Sequence, residues 1–263
     1  MIYKIVSYLK FLIKGKTKYS LHSPFVHEFI GRALDDKEIY YSFLAMNFVR
    51  TKLKNNQTVL SVEDKGAGFR KKIKHNRSVK QIAKTAISSK YKAQVLFKII
   101  NLYQPNRILE LGTSLGLTTC YLSNANRRGS VITIEGSKSI YESALKTFKT
   151  MGLSKINAIN GEFKEVLKTQ LCNEKFDFVF FDGNHTEEAT LMYYNHCKTR
   201  ANENSIFVFD DIYWSKSMTI AWERIIQDTA ISLSIDLFSF GIVFFLKDRA
   251  KQNIKIIHSI NLH

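Results

Sequence analysis

The stretch RILELGTSLG, residues 107–116, joins a short apolar run to a loop that contains Gly112 and Gly116. Runs of this length, rich in Ile and Leu, predict β-strands, and glycines permit backbone conformations that other residues rarely adopt. A segment of helical length follows before the next strand-like run. The stretch therefore predicts a strand, a glycine loop and a helix, in that order.

The same alternation continues toward the C-terminus. Further strand-like runs, separated by segments of helical length, are VITIE (131–135), INAIN (156–160), FDFVFF (176–181) and SIFVF (205–209). Alternating strands and helices predict right-handed βαβ units and a parallel sheet covered on both faces. A helix at about 216–229 precedes IDLFSFGIVFFLK, which predicts a hairpin around 239–241 with an antiparallel last strand.

The N-terminal part of the chain lacks this alternation. It contains helical segments interrupted by GKTKYSLHSPF and VEDKGAGFRKK, and two helices that precede Pro105. We therefore expect a helical extension over residues 1–90, an α/β domain over 91–250 and a C-terminal tail over 251–263.

Composition narrows the class of protein without choosing a partner. The 263 residues are 45% hydrophobic and 13% aromatic, which is typical of a globular protein. The three cysteines (Cys120, Cys172 and Cys197) have no metal-ligand spacing and lie in segments that look helical, so we expect buried thiols in a reducing, cytoplasmic compartment. A net charge of +16 suits nucleic acid, an anionic membrane surface or acidic substrates, and a general compositional bias would also explain it.

Residues 1–20, MIYKIVSYLKFLIKGKTKYS, interleave lysines with aliphatic residues at helical spacing. One interpretation is a helix that makes weak contact with an anionic membrane surface, at the inner face of the membrane. The other, which we prefer from sequence, is an ordinary amphipathic helix packed on its own domain. No apolar run approaches the roughly 20 residues that span a bilayer.

Two acidic residues suggest the ligand of the glycine loop. The loop differs from the GxGxxG fingerprint of dinucleotide enzymes, and Glu110 just before it suits a cationic group rather than a diphosphate. Glu135 ends the second strand, where a carboxylate can accept both ribose hydroxyls. An adenosine with a cationic tail, S-adenosylmethionine (SAM), satisfies both acids.

The motifs around these residues resemble a known family. ILELGTSLGLTT is similar to the first motif of class I SAM-dependent methyltransferases, and VITIEG to the second. FDFVFFDGNHTEEAT and IFVFDDIYWS resemble small-molecule O-methyltransferases, including catechol, caffeoyl-CoA and sugar types. The likeness covers residues 90–247, and a bacterial group of methyltransferases shares the HSPF segment. It implies a Rossmann-like, doubly wound, mostly parallel sheet of seven strands.

The resemblance also implies which residues bind the cofactor. Those expected around its methionine part are Glu110, Gly112, Thr113, Ser114 and Gly116. Glu135 is expected at the ribose, Gly161 and Glu162 near the adenine, and Asp182 also beside the cofactor. Glu162 has an alternative role as a carboxylate at a helix N-terminus, which the helix dipole favours.

By the same resemblance, Asp182, Asp210 and Asp211 would bind a divalent cation. A set of carboxylate oxygens suits Mg²⁺ or a similar hard ion. The catechol type has Asn at the third position, whereas the sugar enzymes have acidic pairs like this one. The alternative for Asp211 is that it only caps the following helix.

His185, three residues after Asp182, resembles the general base of sugar O-methyltransferases that contain a DGxH segment. A loop histidine that only hydrogen-bonds the backbone is the alternative, and Lys216 is the other candidate catalytic residue. Trp214 would stack on an acceptor or pack in the core. HSPFVH (22–27) and VEDKGAGFRKK would close over the cofactor or form surface turns.

The function expected is methyl transfer to a hydroxyl oxygen of a small molecule or sugar, assisted by the cation. The alternative is an RNA (ribose 2′-O) or protein methyltransferase that uses the basic surface. The two prolines lie in SPF and QPN, so the (D/N)PP(Y/F) and Pro-Cys motifs of base-modifying enzymes are absent. A binding module without catalysis is a third class, and oligomeric state is left open.

Overall fold

The computed structural model describes residues 2–64 and 73–258. Its contacts divide the chain into two compact units, Lys37–Cys172 and the combination of Met1–Asp36 with Asn173–His263. The segment 65–72, which holds most of the glycine-rich VEDKGAGFRKK, lies outside the described residues. The predicted domain boundary at residue 90 stays a prediction.

The helices are α1 (Ile2–Lys14), α2 (Pro24–Phe29), α3 (Ser42–Asn55), α4 (Val79–Thr85), α5 (Lys90–Tyr103), α6 (Leu117–Ala125), α7 (Lys138–Thr150), α8 (Phe163–Thr169), α9 (Glu187–Lys198) and α10 (Lys216–Gln227). The strands are β1 (Val59–Asp64), β2 (Ile73–Ser78), β3 (Arg107–Leu111), β4 (Ser130–Glu135), β5 (Ile156–Asn160), β6 (Phe178–Phe181), β7 (Ile206–Asp210), β8 (Leu233–Asp236), β9 (Phe240–Phe244) and β10 (Gln252–Lys255).

In the Lys37–Cys172 unit, strands β3, β4 and β5 are parallel neighbours in that order. Every residue of β3 after Arg107 is buried, as expected of a strand covered on both faces. Helix α5, which leads into β3, is buried along the stripe that contains Val95, Leu96, Ile99 and Ile100. Because parallel strands end at the same edge, the loops that follow β3 and β4 lie side by side.

The other unit contains five strands in the order β10-β8-β9-β7-β6. Strands β6 and β7 are parallel, and β9 runs antiparallel to both β7 and β8. Strand β10 is parallel to β8. All residues of β6 and β7 are buried, which explains why their sequences are continuously apolar rather than alternating.

The predicted fold class is confirmed, since strands alternate with helices and most strand pairings are parallel. The predicted strands over 107–111 and 156–160 have the expected bounds, and the predicted hairpin is β8 and β9. The described residues of these sheets hold eight strands rather than seven, because 252–255, expected to lie in a tail, form β10.

The N-terminal part differs more from expectation. Strands β1 and β2 pair antiparallel, where we expected only helices. The HSPFVH segment begins α2, with Pro24 at the first helical position and Ser23 at the N-cap. Cys172 follows α8 outside any helix, whereas Cys120 and Cys197 are buried in α6 and α9 as expected. Among residues 2–64 and 73–258, no helix is long and apolar enough to cross a membrane.

Candidate active site

The loop between β3 and α6 requires glycine at Gly116. Its φ of +79° lies in the left-handed region, and a Cβ there would come within 2.6 Å of the Phe148 ring. Gly112 (φ +114°) and Ser114 (φ +48°) also have positive φ. The amides of Gly112 and Thr113 donate to the carbonyl of Ile134, at 3.1 and 3.2 Å, so the loop is held against β4.

Glu135 connects the loops after β3 and β4. Its Oε2 accepts the amide of Ser114 at 3.0 Å, and its Oε1 accepts the amide of Ser137 at 2.9 Å. Burial raises the pKa of Glu135, while these backbone N–H groups lower it. Each carboxylate oxygen can accept a second hydrogen bond, so the side chain keeps acceptor capacity for hydroxyl groups of a ligand.

Glu110 is fully buried at the end of β3. Its Oε2 accepts hydroxyl hydrogen bonds from Thr119 at 2.5 Å and from Thr133 at 2.7 Å. Its Oε1 has no hydrogen-bond partner. Burial raises the pKa of Glu110 to about 7, against the lowering effect of the two hydroxyls.

The residues around the glycine loop fit a ligand that carries hydrogen-bonding groups. The hydroxyl of Ser114, like Oε1 of Glu110, is buried without a partner. Buried polar atoms are nearly always hydrogen-bonded in proteins, so two such atoms beside one loop indicate groups that a ligand completes. The cofactor role of both residues stays a prediction.

The side chain of Thr113 does not contribute to that set. It is buried, and its Oγ1 lies 2.6 Å from Oγ1 of Thr133, so the hydroxyl belongs to the network beneath the loop. Any contact of Thr113 with the cofactor would therefore come from its backbone.

The other predicted cofactor residues of this unit follow β5. The amide of Gly161 donates to the carbonyl of Glu135 at 3.0 Å, which places Gly161 next to the expected ribose-binding residue. Glu162 is the exposed N-cap residue of α8 and makes no side-chain cap hydrogen bond. The adenine role and the dipole role of Glu162 both stay predictions.

Asp182 and His185 lie in the turn between β6 and α9, in the other unit. Nε2 of His185 is 3.8 Å from Oδ1 of Asp182, and both side chains are partly buried. Asn184 has a positive φ of +52°, and its side-chain Nδ2 donates to the hydroxyl of Tyr193 at 2.8 Å. Thr186 caps α9. These contacts fix the turn that carries the imidazole beside the carboxylate.

Asp210 and Asp211 lie at the C-terminal end of the same unit's buried strand β7. Asp210 is the buried last residue of the strand, and Asp211 has a positive φ of +51° and donates its amide to the carbonyl of Ser239 at 3.0 Å. Ser215, not Asp211, caps α10, because its hydroxyl accepts the amide of Met218. The alternative that Asp211 serves only as a helix cap is therefore wrong.

The predicted cation site is not assembled by these acids alone. Within the ranges 2–64 and 73–258, no group of three or more His, Cys, Asp or Glu side chains is close enough to hold a metal ion. Lys216 is exposed at the first position of α10, and Trp214 is exposed in the preceding loop. The metal role of the acids and the catalytic role of Lys216 stay predictions.

A largely buried polar network formed by Tyr213, Asp236 and Lys255 was not predicted from sequence. The hydroxyl of Tyr213 donates to Oδ2 of Asp236 at 2.7 Å, and Nζ of Lys255 donates to the same oxygen at 2.6 Å. Burial and Asp236 raise the pKa of Tyr213. The network ties the loop after β7 to β8 and β10. In the sequence, Lys255 of QNIK looks like an ordinary surface lysine, so the pattern did not indicate this network.

Comparison with known proteins agrees with this arrangement. Residues 109–212, which include the glycine loop, Glu135 and the Asp182 turn, match the family model of a methyltransferase domain. Over these residues the chain is similar to a methyltransferase domain. The predicted resemblance is thereby confirmed over the part of the chain that holds these motifs.

The sequence match to an individual relative is shorter than the match to the family model. A protein-L-isoaspartate O-methyltransferase of Thermosipho melanesiensis is 34% identical over 80 residues, or 30% of this chain. The match spans 40% of that relative's length.

Solved structures of two methyltransferases share this fold. The SAH-bound methyltransferase PaMTH1 of Podospora anserina has a TM-score of 0.60 and 14% identity, over 86% of this chain and 97% of its own. The second is the O-methyltransferase TomG of Streptomyces achromogenes, which is involved in tomaymycin synthesis and was solved with SAM. It has a TM-score of 0.54 and 20% identity, over 61% of this chain and 82% of its own. At these identities the likeness establishes the fold.

Proposed function

We propose that the chain is a SAM-dependent O-methyltransferase that acts on a hydroxyl group of a small molecule or sugar. The observation that carries the proposal is the pair of loops joined by Glu135. Its carboxylate holds the glycine loop through the amide of Ser114 and keeps acceptor capacity for a ribose diol. The match to a methyltransferase domain supports SAM as the ligand of these loops.

In the proposed reaction, the acceptor oxygen attacks the methyl carbon of the sulfonium. A C–O bond forms as the S–CH₃ bond breaks, and the cofactor leaves as the neutral thioether S-adenosylhomocysteine (SAH). The acceptor hydroxyl must lose its proton to a base. The protein's part is to hold the two reactants in line and to receive that proton.

His185 is the proposed base. An unprotonated imidazole is suited to accept a proton near neutral pH. Asp182, 3.8 Å away, would stabilise the imidazolium that results, because opposite charges at this distance favour the charged form. Lys216 is the second candidate, although its exposed position at a helix N-terminus gives it no comparable partner in the described geometry.

The divalent cation is retained as a separate, testable part of the proposal. Its support is chemical, since Asp182, Asp210 and Asp211 are hard oxygen donors at the C-terminal ends of two neighbouring parallel strands. A bound cation would supply a positive charge to the acceptor oxygen. The proton transfer assigned to His185 does not depend on it.

A protein acceptor is the second candidate. The Thermosipho relative is named for methyl transfer to protein L-isoaspartate, which is also transfer to oxygen. The net charge of +16 would attract an acidic protein or RNA. An L-isoaspartyl peptide and tRNA therefore belong in the acceptor panel.

Calorimetry with purified full-length protein tests the cofactor first. We expect SAM and SAH to bind, and Glu135→Gln to weaken both about 100-fold, because a neutral amide loses charge-assisted bonds to the ribose and to Ser114. If neither ligand binds the wild-type protein, the proposed function is wrong.

A methyl-transfer assay with labelled SAM and the acceptor panel then tests the base. His185→Gln should bind SAM normally but transfer methyl groups about 100-fold more slowly or worse. His75→Gln, at an exposed position of β2, is the matched control and should behave as wild type. Wild-type turnover by His185→Gln would exclude His185 as the base, and unchanged turnover in excess EDTA would exclude a required cation.

A further inference from the structure

Helix α1 presents its aliphatic stripe to solvent rather than to the protein. Its buried residues are Ser7 and Phe11, and Phe11 packs against Phe238 with ring centroids 5.5 Å apart. Aliphatic residues on the opposite face, 43% to 83% exposed, are Ile2, Ile5, Val6, Leu9 and Ile13. Their spacing of three and four residues places them on one side of the helix.

The charge around this stripe is of one sign. Lys4, Lys10 and Lys14 are exposed on α1, and Lys16 follows the helix. The first acidic residue of the whole chain is Glu28, well beyond the helix. The helix therefore combines an exposed apolar face with several lysines and carries no acidic residue of its own.

Two exposed aromatic side chains accompany the helix. Nζ of Lys4 lies 5.7 Å from the ring of Trp214, which is exposed in the loop before α10. Tyr19 is exposed shortly after α1, with Nζ of Lys18 lying 5.5 Å from its ring. Trp and Tyr are the side chains that favour the boundary between water and lipid.

The combination of charge and apolar area selects among the kinds of partner. Nucleic acid would pair with the lysines but would leave the aliphatic stripe in water, since its affinity comes from phosphate contacts. A second copy of α1 would cover the stripe but would bring two rows of lysines together. An anionic lipid surface satisfies both, because acyl chains accept the stripe and headgroups accept the lysines.

We propose that α1, together with Trp214, docks the protein on the surface of an anionic lipid bilayer. The helix has 13 residues and therefore a length of about 20 Å, too short to span a bilayer. It lies in the plane of the interface with the stripe facing the acyl chains.

Flotation of full-length protein with vesicles tests the proposal. Vesicles of phosphatidylcholine alone are compared with vesicles that contain about 30% phosphatidylserine, at low and high salt. We expect binding to the anionic vesicles at low salt, weakened by added salt. The fluorescence of Trp214 should shift to the blue on binding, and Trp214→Phe should remove that shift, since Trp222 is already buried.

Two double variants separate the apolar and the electrostatic contributions. Ile5→Ser with Leu9→Ser should weaken binding about 30-fold, because each side chain is 55% exposed and would bury that area in lipid. Lys10→Gln with Lys14→Gln should weaken binding to anionic vesicles at low salt by about 25-fold, or about fivefold per lysine. All four positions are exposed, so the melting temperature should not change.

Helix α3 offers a matched control. Leu44 and Phe48 are 61% and 64% exposed, so Leu44→Ser with Phe48→Ser removes a comparable apolar area from another helix. This variant should bind vesicles as wild type does. The proposal is overturned if the wild type fails to float with anionic vesicles, or if the α3 variant loses as much binding as the α1 variant. A dimer that Ile5→Ser with Leu9→Ser dissociates, without any vesicle binding, would assign the stripe to a second copy of the chain instead.

Discussion

Replacing Glu110 by Gln separates the cost of burying its charge from its use in binding. The carboxyl is completely buried, and burial raises its pKa from 4.5 to about 7. A glutamine has nearly the same shape, and its carbonyl can accept the hydroxyls of Thr119 and Thr133 as the carboxylate does. The variant therefore removes the charge while retaining the hydrogen bonds below it.

The magnitude follows from the difference between the folded and unfolded pKa values. Because the folded pKa is the higher one, Glu110 contributes stability below the unfolded value of 4.5, and this contribution is lost as the pH rises through about 7. Between about pH 5 and about pH 8, the wild-type protein should lose about 2.5 kcal/mol of unfolding free energy through this group. The Gln variant should not show that loss, so the difference in unfolding free energy between the variant and the wild type should favour the variant more at about pH 8 than at about pH 5.

Urea unfolding of ligand-free wild type and Glu110→Gln at both pH values measures the difference. Subtracting the two proteins removes the contribution of the other titrating groups. Glu142→Gln, at an exposed position of α7, is the control and should leave the pH dependence unchanged. The same Glu110 variant should bind SAM more weakly if the unpartnered Oε1 serves the cofactor. A Glu110→Gln protein whose unfolding free energy follows the wild-type pH dependence would refute a buried carboxyl with a raised pKa.

Two further variants test local packing by urea unfolding. Gly116→Ala should lower the free energy of unfolding by about 3 kcal/mol, because φ is positive there and the new Cβ would contact Phe148. Gly152→Ala is the control and should cost only about 1 kcal/mol, because Gly152 also has a positive φ but has open space around it. Equal losses in the two variants would show that the contact with Phe148 is unimportant. Lys255→Met should lower the free energy of unfolding by about 2 kcal/mol, because it leaves the buried Asp236 with Tyr213 but without its cation. Lys251→Met, at an exposed position, is the control and should be nearly neutral. A Lys255→Met protein with unchanged unfolding free energy would show that the network contributes nothing to stability.

The α/β part of the fold was predictable because its strands are buried on both faces. Strands such as FVFF and IFVF can be recognised without alternation, since the long polar helices between them mark their ends. Pro105 and the left-handed Gln104 end α5 just before β3, as the position of the proline indicates. Here the local pattern and the tertiary environment favour the same structure.

The strands that were missed depend on partners distant in sequence. Strand β10 reads QNIK, which has little strand preference, and it forms because its residues pair with LSID of β8. Strand β2 reads IKHNRS and pairs with β1 across the undescribed segment. In both strands tertiary pairing overrides weak local propensity, and a single sequence does not show that pairing.

In the candidate site, too, the residues could be predicted from local sequence, whereas their long-range contacts could not. Glu110, Glu135 and the glycine loop could be placed by their positions at strand ends. Their hydrogen bonds could not, because the sequence does not show that Glu135 accepts the amide of Ser114 across 21 residues. The predicted cation site illustrates the limit. Three acids that follow neighbouring strands are easily identified as a set, yet the set is not close enough in the described geometry to hold an ion.

The orientation of α1 shows why an amphipathic pattern alone does not identify a buried face. The pattern favours burial of the stripe of Ile and Leu, and on that basis we preferred a helix packed on its own domain. The protein instead buries the opposite face, where Phe11 enters an aromatic cluster with Tyr8, Phe238 and Tyr213. The ring centroid of Phe11 lies 5.5 Å from that of Phe238 and 6.4 Å from that of Tyr213, and the Phe238 centroid lies 4.8 Å from those of Tyr8 and Tyr213. Two of these partners lie more than 200 positions away in the sequence, so the local pattern could not show them. Because that cluster already holds the helix, the aliphatic stripe remains exposed and is available for a partner, and the vesicle experiments address that partner directly.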